Sequence, residues 1–142
     1  MKVSQYIRKF LQEKQIKHVF GYSGGAILPL LNEFHKKHNS MIHFIKNSTE
    51  LCSGFSAEGY TKSLGKIKPG IIVSTSGPGV TNIITPLQNA YNDGIPILAI
   101  TAQVPTKSIG TDAFQECKAT ELTKPCTKHS YFIDNKNDIV SI

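Results

Sequence analysis

The chain has 142 residues, 39% of them hydrophobic and 18% charged, a balance typical of one folded domain rather than of a disordered segment. Its formal net charge is +6, yet Arg8 is the only arginine among the 16 basic residues. Recognition of phosphate and bases favours the planar guanidinium group, whereas scattered lysines without interleaved aromatic residues are typical of a solvated surface. A nucleic-acid partner is therefore not expected, and a basic DNA-binding domain is the weakest alternative.

Membrane association and metal binding are not expected either. No apolar run reaches the roughly 18 residues that a bilayer-spanning helix needs, and the N-terminus lacks the apolar core of a signal peptide. We therefore expect a cytoplasmic protein without a membrane partner. Cys52, Cys117 and Cys126 have no metal-ligand spacing, and an odd number of cysteines makes a poor disulfide framework. We expect reduced, partly buried thiols and no metal site.

Amphipathic helices alternate with short apolar strands along the chain. Helices are indicated by apolar residues at i, i+3, i+4 and i+7, and strands by short apolar runs bounded by glycine or polar residues. A strand that is apolar on both faces is expected inside a parallel sheet covered by helices. The predicted elements, in chain order, are helix 3–11, strand 18–20, helix 27–34, strand 41–45, helix 50–62, strand 70–75, helix 80–87 and strand 95–100.

Three of these predictions carry further detail. The helix at 50–62 is rich in small residues, which allow another backbone to approach closely. A polar loop at 101–118 follows the last strand and exceeds the usual connection length, as functional loops often do. The first helix is expected to have an apolar face of Val3, Tyr6, Ile7, Phe10 and Leu11, and the second an outer face of Asn32, Glu33, Lys36 and Lys37.

The order of elements predicts an α/β fold with three layers, α/β/α, around a mostly parallel sheet. Ligands of such sheets bind in the crevice at the carboxyl ends of the strands. The loops that would line this crevice are residues 21–25, 46–50, 75–79 and 101–116, which are the glycine-rich and polar segments of the sequence.

One motif follows each predicted strand. The motifs are Gly-Tyr-Ser-Gly-Gly at 21–25, Glu50 placed eight residues before Glu58, Thr-Ser-Gly-Pro-Gly at 75–79, and Thr-Ala-Gln-Val-Pro at 101–105 leading into Gly-Thr-Asp-Ala-Phe-Gln-Glu at 110–116. In this order and spacing they resemble the N-terminal domain of acetolactate synthase large subunits, which are thiamine-diphosphate-dependent enzymes. The resemblance extends over nearly the whole chain.

By this resemblance, Glu50 is the catalytic residue. In the family, a buried glutamic acid gives a hydrogen bond and a proton to a ring nitrogen of the cofactor's pyrimidine, which makes the thiazolium carbon reactive. Burial suits this role because it favours the protonated form of a carboxylic acid. The alternative interpretation is an ordinary acidic residue in a first helical turn, where the helix dipole favours negative charge.

The remaining site residues are also assigned by resemblance. Phe114 and Gln115 match family residues on the substrate side that reach across a subunit interface; the alternative is a loop aromatic and a solvated amide. The loop at 75–79 also has the composition of an anion-binding turn, but it lacks the lysine of a P-loop and the spacing of a dinucleotide loop. The implied contacts to the pyrimidine end of the cofactor are Tyr22, Gly24, Gly25, Glu50, Thr75, Pro78 and Asn82.

The sequence departs from the family pattern around the catalytic glutamate. The family usually has His before that residue and Gln-Gly after it, whereas this chain has Thr49, Leu51 and Cys52. Phe55 replaces another His of the same helix, and Ser23 replaces a Pro of the first loop.

Resemblance also implies a larger protein. Residues 1–142 would form the pyrimidine-binding domain of the thiamine-diphosphate-binding fold, with its last helix truncated after Asp138. A central FAD-contacting domain and a C-terminal domain for the diphosphate and Mg²⁺ would be absent, and the Gly-Asp-Gly motif of the latter does not occur in the sequence.

Two functions are compatible with these observations. The first is a carboligase of branched-chain amino acid biosynthesis, which decarboxylates pyruvate and joins the product to a second 2-keto acid. The chain would then work as a homodimer or as a hetero-oligomer with a chain that carries the diphosphate-binding domain. The second is a non-catalytic truncated remnant or pairing module that retains the fold.

Overall fold

The structure, a computed structural model, describes residues 1–35 and 41–140; Lys36 and Lys37, which we expected at the surface, lie outside the described residues. The strands are β1 (His18–Gly21), β2 (His43–Lys46), β3 (Gly70–Ser74) and β4 (Ile97–Thr101). The helices are α1 (Val3–Glu13), α2 (Leu28–Phe34), α3 (Glu50–Ser63), α4 (Pro78–Thr81), α5 (Ile84–Asn92) and α6 (Ala119–Thr123).

The four strands form a parallel sheet in the order β2-β1-β3-β4. Its register aligns the last residues of the strands, since Gly21 pairs with both Lys46 and Val73, and Ser74 pairs with Thr101. The segments that follow these strands therefore begin at one edge of the sheet, as the sequence predicts.

Helices cover both faces of the sheet. On one face, α1 and α2 bury Leu11 and Leu31 against Val19 and Val73 of the sheet. On the other face, α3 and α5 bury Ala57 and Leu87 against Phe20 and Ile72. The predicted three-layer α/β/α arrangement is thereby confirmed. Among the described residues, no helix is both long and apolar enough to cross a membrane.

Close packing around α3 requires small residues at particular positions. A Cβ atom added to Gly54 would lie 2.2 Å from Cγ of Pro86 on α5, and one added to Gly70 would lie 2.4 Å from the carbonyl oxygen of Ala57. A side chain at either position would overlap these atoms. The predicted close approach of another backbone to this helix is therefore confirmed.

The predicted single helix over 80–87 is wrong, because it consists of two helices, α4 and α5, separated by a turn at residues 82–83. The cause is Pro86, in the first turn of α5. Proline has no N–H to bond the carbonyl of residue 82, and its ring would clash with that carbonyl in a continuous helix.

The outer face predicted for α2 is also wrong at one position. Asn32 is exposed, but Glu33 is buried, and its Oε2 lies 3.5 Å from Nε of Arg8 on α1. Arg8 is itself buried, whereas Val3 and Phe10, predicted on the apolar face of α1, are exposed. A buried charge requires a partner, and here the partner comes from the neighbouring helix.

The apolar segment at residues 95–100 forms the edge strand β4, and Leu98 remains 39% exposed there. Two short helical segments that the sequence analysis did not predict follow the long loop: α6, and a 3₁₀ turn at Lys124–Cys126. They place Cys126 in the core on the α3 and α5 face. Asp138–Val140 forms a 3₁₀ turn at the position of the last, truncated helix that the resemblance implies.

Candidate functional site

The predicted site residues gather at the carboxyl edge of the sheet. Glu50 is the first residue of α3 and is only 7% exposed, despite its charge. The helix starts here because the Thr49 side chain accepts a hydrogen bond from the backbone N–H of Cys52 at 3.1 Å, which satisfies an amide of the first turn. Thr49 thus stands in the N-cap position immediately before the buried carboxyl group.

An amide from the turn between α4 and α5 contacts this carboxyl group. Nδ2 of Asn82 donates to Oε2 of Glu50 at 3.1 Å. Across residues 1–35 and 41–140, no other hydrogen-bond donor contacts the Glu50 carboxyl group, so its second oxygen keeps its bonding capacity. Two residues assigned to the cofactor site, 32 positions apart in sequence, are therefore in direct contact.

The two glycine-rich turns also contact each other. A Cβ atom added to Gly24 would lie 2.5 Å from Cβ of Thr75 and 2.7 Å from its Oγ1, so only glycine fits at this position. Thr75 is buried, and its Oγ1 has no hydrogen-bond partner within the described residues. A buried hydroxyl without a partner is energetically costly and often marks a place where a ligand or water binds.

The loop after β4 lies over the second glycine turn. Gly77 has φ of +60°, and a Cβ atom there would lie 2.9 Å from Cα of Gln115. Beside this contact is a cleft of about 640 Å³, lined in part by Pro78, Phe114 and Leu122. Phe114 is 88% exposed. Both residues assigned to the substrate side are thus adjacent to the 75–79 turn.

Tyr22 and Gly25 are less tightly placed. The Lys46 ammonium group lies 5.5 Å from the ring centroid of Tyr22, within range of a cation–π interaction. A Cβ atom added to Gly25 would meet nothing within 4 Å, so this glycine borders open space. Among the described residues, no hydrogen bond joins Tyr22 or Gly25 to the Glu50 carboxyl group.

Cys52 lies two residues after Glu50 and is exposed in the first turn of α3. Hydrogen bonds with Thr49 and with Ser48, whose Oγ lies 3.7 Å from Sγ, lower the pKa of the Cys52 thiol. The other two cysteines are at least half-buried, as predicted, whereas the prediction of a partly buried thiol is wrong for Cys52. Burial raises the pKa of both the Cys117 and Cys126 thiols.

Sequence analysis assigned no role to two polar residues that order the long loop, Gln103 and Glu116. Both belong to the motifs at 101–105 and 110–116, but they are ordinary surface residue types, and no spacing indicated what their side chains would bind. In the structure, Gln103 and Glu116 each bind backbone groups several residues away.

Two histidines, His18 and His43, lie at the opposite edge of the sheet, where they begin the neighbouring strands β1 and β2. Their rings stack with centroids 5.6 Å apart. Nδ1 of His18 lies 2.9 Å from the Tyr60 hydroxyl oxygen. Across residues 1–35 and 41–140, no group of three or more His, Cys, Asp or Glu side chains is arranged to hold a metal ion.

Comparison with known proteins agrees with this geometry. Residues 1–122 match the family described as thiamine pyrophosphate enzyme, N-terminal TPP binding domain. The mitochondrial acetolactate synthase catalytic subunit of Saccharomyces cerevisiae is 39% identical over 95% of this chain and 19% of its own length. The acetolactate synthase large subunit of Lactococcus lactis is 43% identical over 98% of this chain and 24% of its own length.

A probable acetolactate synthase large subunit of Methanocaldococcus jannaschii is 40% identical over 98% of this chain and 23% of its own length. The chain therefore spans about a fifth to a quarter of the length of these relatives. Because the family match covers most of the 142 residues and the matched motifs meet at one edge of the sheet, the chain belongs to the thiamine pyrophosphate enzymes, as an N-terminal TPP binding domain.

Proposed function

We propose that this chain is the cofactor-activating domain of an acetolactate-synthase-type carboligase, and that Glu50 is its catalytic residue. One observation carries the proposal: a buried glutamate at the carboxyl edge of a parallel sheet has a single amide donor, Asn82, and an oxygen left available. A purely structural buried carboxylate would be expected to have all its bonding capacity used.

The residues present fit the pyrimidine end of thiamine diphosphate. When bound, this cofactor supplies a thiazolium carbon that stabilises the carbanion formed when a 2-keto acid loses carbon dioxide. The available oxygen of Glu50 would hold a proton at a pyrimidine ring nitrogen, while Asn82 orients the carboxyl group. The unpaired Thr75 hydroxyl offers a further polar contact, and Gly24 keeps the space beside it clear.

The other assigned residues complete this proposal. Tyr22, Gly25 and Pro78 would border the ring, because they belong to the same two glycine-rich turns. Phe114 and Gln115 would contact the 2-keto acid, pyruvate or the second acceptor. Both residues lie beside the cleft next to the 75–79 turn, and the exposed Phe114 ring is free to meet a substrate or a second subunit.

Other parts of the active assembly would come from outside these residues. The relatives are four to five times longer than this chain, and the described residues contain no cluster of three metal-ligating side chains. We infer that Mg²⁺, the diphosphate and FAD bind to other domains or to another chain. The working form would be a homodimer or a hetero-oligomer that brings such a domain to Glu50.

A non-catalytic pairing module is the second candidate. Leu51 and Phe55 lie on the outer face of α3 and are exposed, one helical turn apart. Exposed apolar side chains next to a buried carboxyl group favour a protein partner at this face, whether or not the assembly turns over substrate. The two candidates therefore differ in catalysis and not in association.

A domain exchange distinguishes the candidates. Residues 1–142 would replace the matching segment of the Lactococcus lactis large subunit, and the chimera would be assayed for acetolactate formation with thiamine diphosphate, Mg²⁺ and FAD. We expect turnover that is lost with Glu50→Gln and retained with Glu13→Gln, a matched change at an exposed position of α1. The unmodified 142-residue chain should consume no pyruvate.

A folded chimera that binds thiamine diphosphate but forms no acetolactate would contradict the catalytic proposal and support the pairing module. Binding would be followed by titration of thiamine diphosphate with Mg²⁺, so that loss of the cofactor is not mistaken for loss of catalysis.

A further inference from the structure

The tip of the long loop is held by one carboxylate. Oε1 of Glu116 accepts a hydrogen bond from the backbone N–H of Gly110, and Oε2 accepts one from the N–H of Ala113 at 3.2 Å. These backbone hydrogen bonds, that of Gly110 first, lower the pKa of the Glu116 carboxyl group. Converging backbone amides form a concave site for an anion, and here the chain's own side chain occupies it.

The same tip contains residues in a costly backbone conformation. Asp112 and Gln115 have φ of +55° and +63°, and Gly110 has φ of +82°. Positive φ is unfavourable for residues other than glycine, so this shape persists only where other interactions impose it. The hydrogen bonds that the Glu116 carboxylate accepts from two backbone N–H groups span these residues and supply that constraint.

A second side chain closes the base of the loop. Nε2 of Gln103 donates to the carbonyl oxygen of Cys117 at 2.9 Å, and its Oε1 accepts from the N–H of Val104 at 2.8 Å. The chain therefore leaves the sheet and returns to nearly the same place. A loop of this length costs considerable conformational entropy to order, which these side-chain bonds offset.

The ordered loop has a defined docking point. Residue 115 lies against Gly77, where no other amino acid fits, in the turn assigned to the cofactor. Phe114 immediately precedes this contact and projects into solvent beside the cleft. The position of both residues on the substrate side thus depends on the shape of the 110–116 tip.

We propose that Glu116 is a positioning residue, which holds the 110–115 loop against the 75–79 turn so that Phe114 and Gln115 are placed for substrate before any ligand binds. The proposal rests on the proposed function for its substrate class, a 2-keto acid. Its structural part, a loop ordered by its own carboxylate, is independent of catalysis. In this proposal Glu116 acts through the loop that it orders and not directly on the substrate.

The first test is amide hydrogen exchange in the 142-residue chain. Glu116→Gln removes the charge and leaves one acceptor for two amides, so exchange at Gly110 and Ala113 should accelerate by about tenfold or more, because bonds to a charged acceptor are the stronger ones. Glu121→Gln removes the same charge from the same cleft and should leave these amides unchanged. Equal exchange in wild type and Glu116→Gln would overturn the proposal.

The second test separates positioning from general structure, in the domain-exchange chimera. Glu116→Gln should raise KM for the 2-keto acid by about tenfold and change kcat by less than about twofold, because uniform binding is lost while the chemistry is retained. Faster exchange with unchanged KM would overturn the positioning role. A chimera without turnover would count against the proposed function alone, since amide exchange needs no cofactor.

Discussion

Two buried glutamates on one helix, Glu50 and Glu58, provide the most informative comparison within the molecule. They are 7% and 3% exposed and lie about two turns apart on α3. Each accepts a hydrogen bond from an asparagine amide of the following helical pair, Asn82 for the first and Asn89 for the second. Asn82 lies in the turn before α5 and Asn89 lies within α5, so both pairs join α3 to the same neighbouring segment.

The pairs differ in how completely each carboxylate is bonded. Both oxygens of Glu58 lie 2.9 Å from Nδ2 of Asn89, and Oε1 also accepts from Nζ of Lys62 at 2.5 Å. The hydrogen bond to Glu58 raises the pKa of Lys62. Glu50 has a single amide donor on one oxygen and no cationic partner within the described residues.

This difference separates a structural carboxylate from a candidate catalytic one. A buried carboxylate with donors at both oxygens is satisfied within the protein, and removing one partner from such a group destabilises the fold. A carboxyl group that is buried but only partly bonded destabilises the fold slightly, and proteins retain such groups where function requires them. Replacement by glutamine is therefore expected to affect cofactor activation mainly at Glu50 and the stability of the fold mainly at Glu58.

The largest effect is expected for Glu50→Gln on cofactor activation. The amide cannot transfer a proton, so deuterium exchange at C2 of thiamine diphosphate in the chimera should fall by about a hundred- to ten-thousandfold. Proton NMR of the added cofactor measures this rate. Glu58→Gln is the matched control and should change the rate by less than about threefold, because Glu58 lies outside the candidate site. Equal losses of exchange rate in both variants would contradict a specific role of Glu50.

For stability, Glu58→Gln is expected to have the larger effect and Glu50→Gln the smaller one. The amide N–H₂ group of Gln at position 58 would face a donor group of Asn89 or Lys62, so the variant should lose about 2–3 kcal/mol of unfolding free energy. Glu50→Gln keeps an oxygen for Asn82 and should change it by less than about 1 kcal/mol. Urea unfolding of the 142-residue chain followed by circular dichroism gives both values. A larger loss at Glu50 would show that its role is structural.

Gly54→Ala disturbs both pairs at once, through the packing of α3 on α5. The added methyl group would lie 2.2 Å from Cγ of Pro86, so the helices must separate. Overpacking of this kind costs about 1–3 kcal/mol of unfolding free energy, which the same urea titration measures. An unchanged urea concentration at the unfolding midpoint would mean that α5 can shift away from α3 at no cost. The hydrogen bonds of both glutamates to the α4–α5 segment would then not depend on close packing of these helices.

The smallest effect, of opposite sign, is expected for Gly59→Ala. This residue follows Glu58 on the exposed side of α3, and a Cβ atom there would meet nothing within 4 Å. Alanine is favoured over glycine inside a helix by about 0.5–1 kcal/mol, so the variant should be more stable by that amount. A less stable variant would contradict the open space beside Gly59.

Much of the fold could be predicted from the sequence because short-range patterns specify it. Apolar runs marked the strands, and the strand-to-turn order placed Glu50 and both glycine turns at one edge of the sheet. The small residues of α3 indicated close packing, and Gly54 provides it. Even the break between α4 and α5 had a local signal, Pro86, which the helical periodicity of the surrounding residues outweighed in the prediction.

Other features had no local signal. Glu33 has an ordinary position on the polar side of a helix, and only the packing of α1 on α2 brings Arg8 to it. The position of β4 at the sheet edge depends on strand order, which its apolar sequence does not specify. The bonds from Glu116 to backbone amides require a loop shape that no spacing rule describes.

The sequence by itself determined the strands, the first three helices and the glycine turns, and which edge of the sheet holds the candidate site. Only the tertiary structure decided which buried charges are fully bonded, since Glu50 and Glu58 look alike along the chain. The physical reason is the distance along the chain over which each signal acts. Periodicity and turn chemistry depend on neighbours in sequence, whereas the partners of a buried carboxylate, here Asn82 and Asn89, come from a segment some thirty residues away.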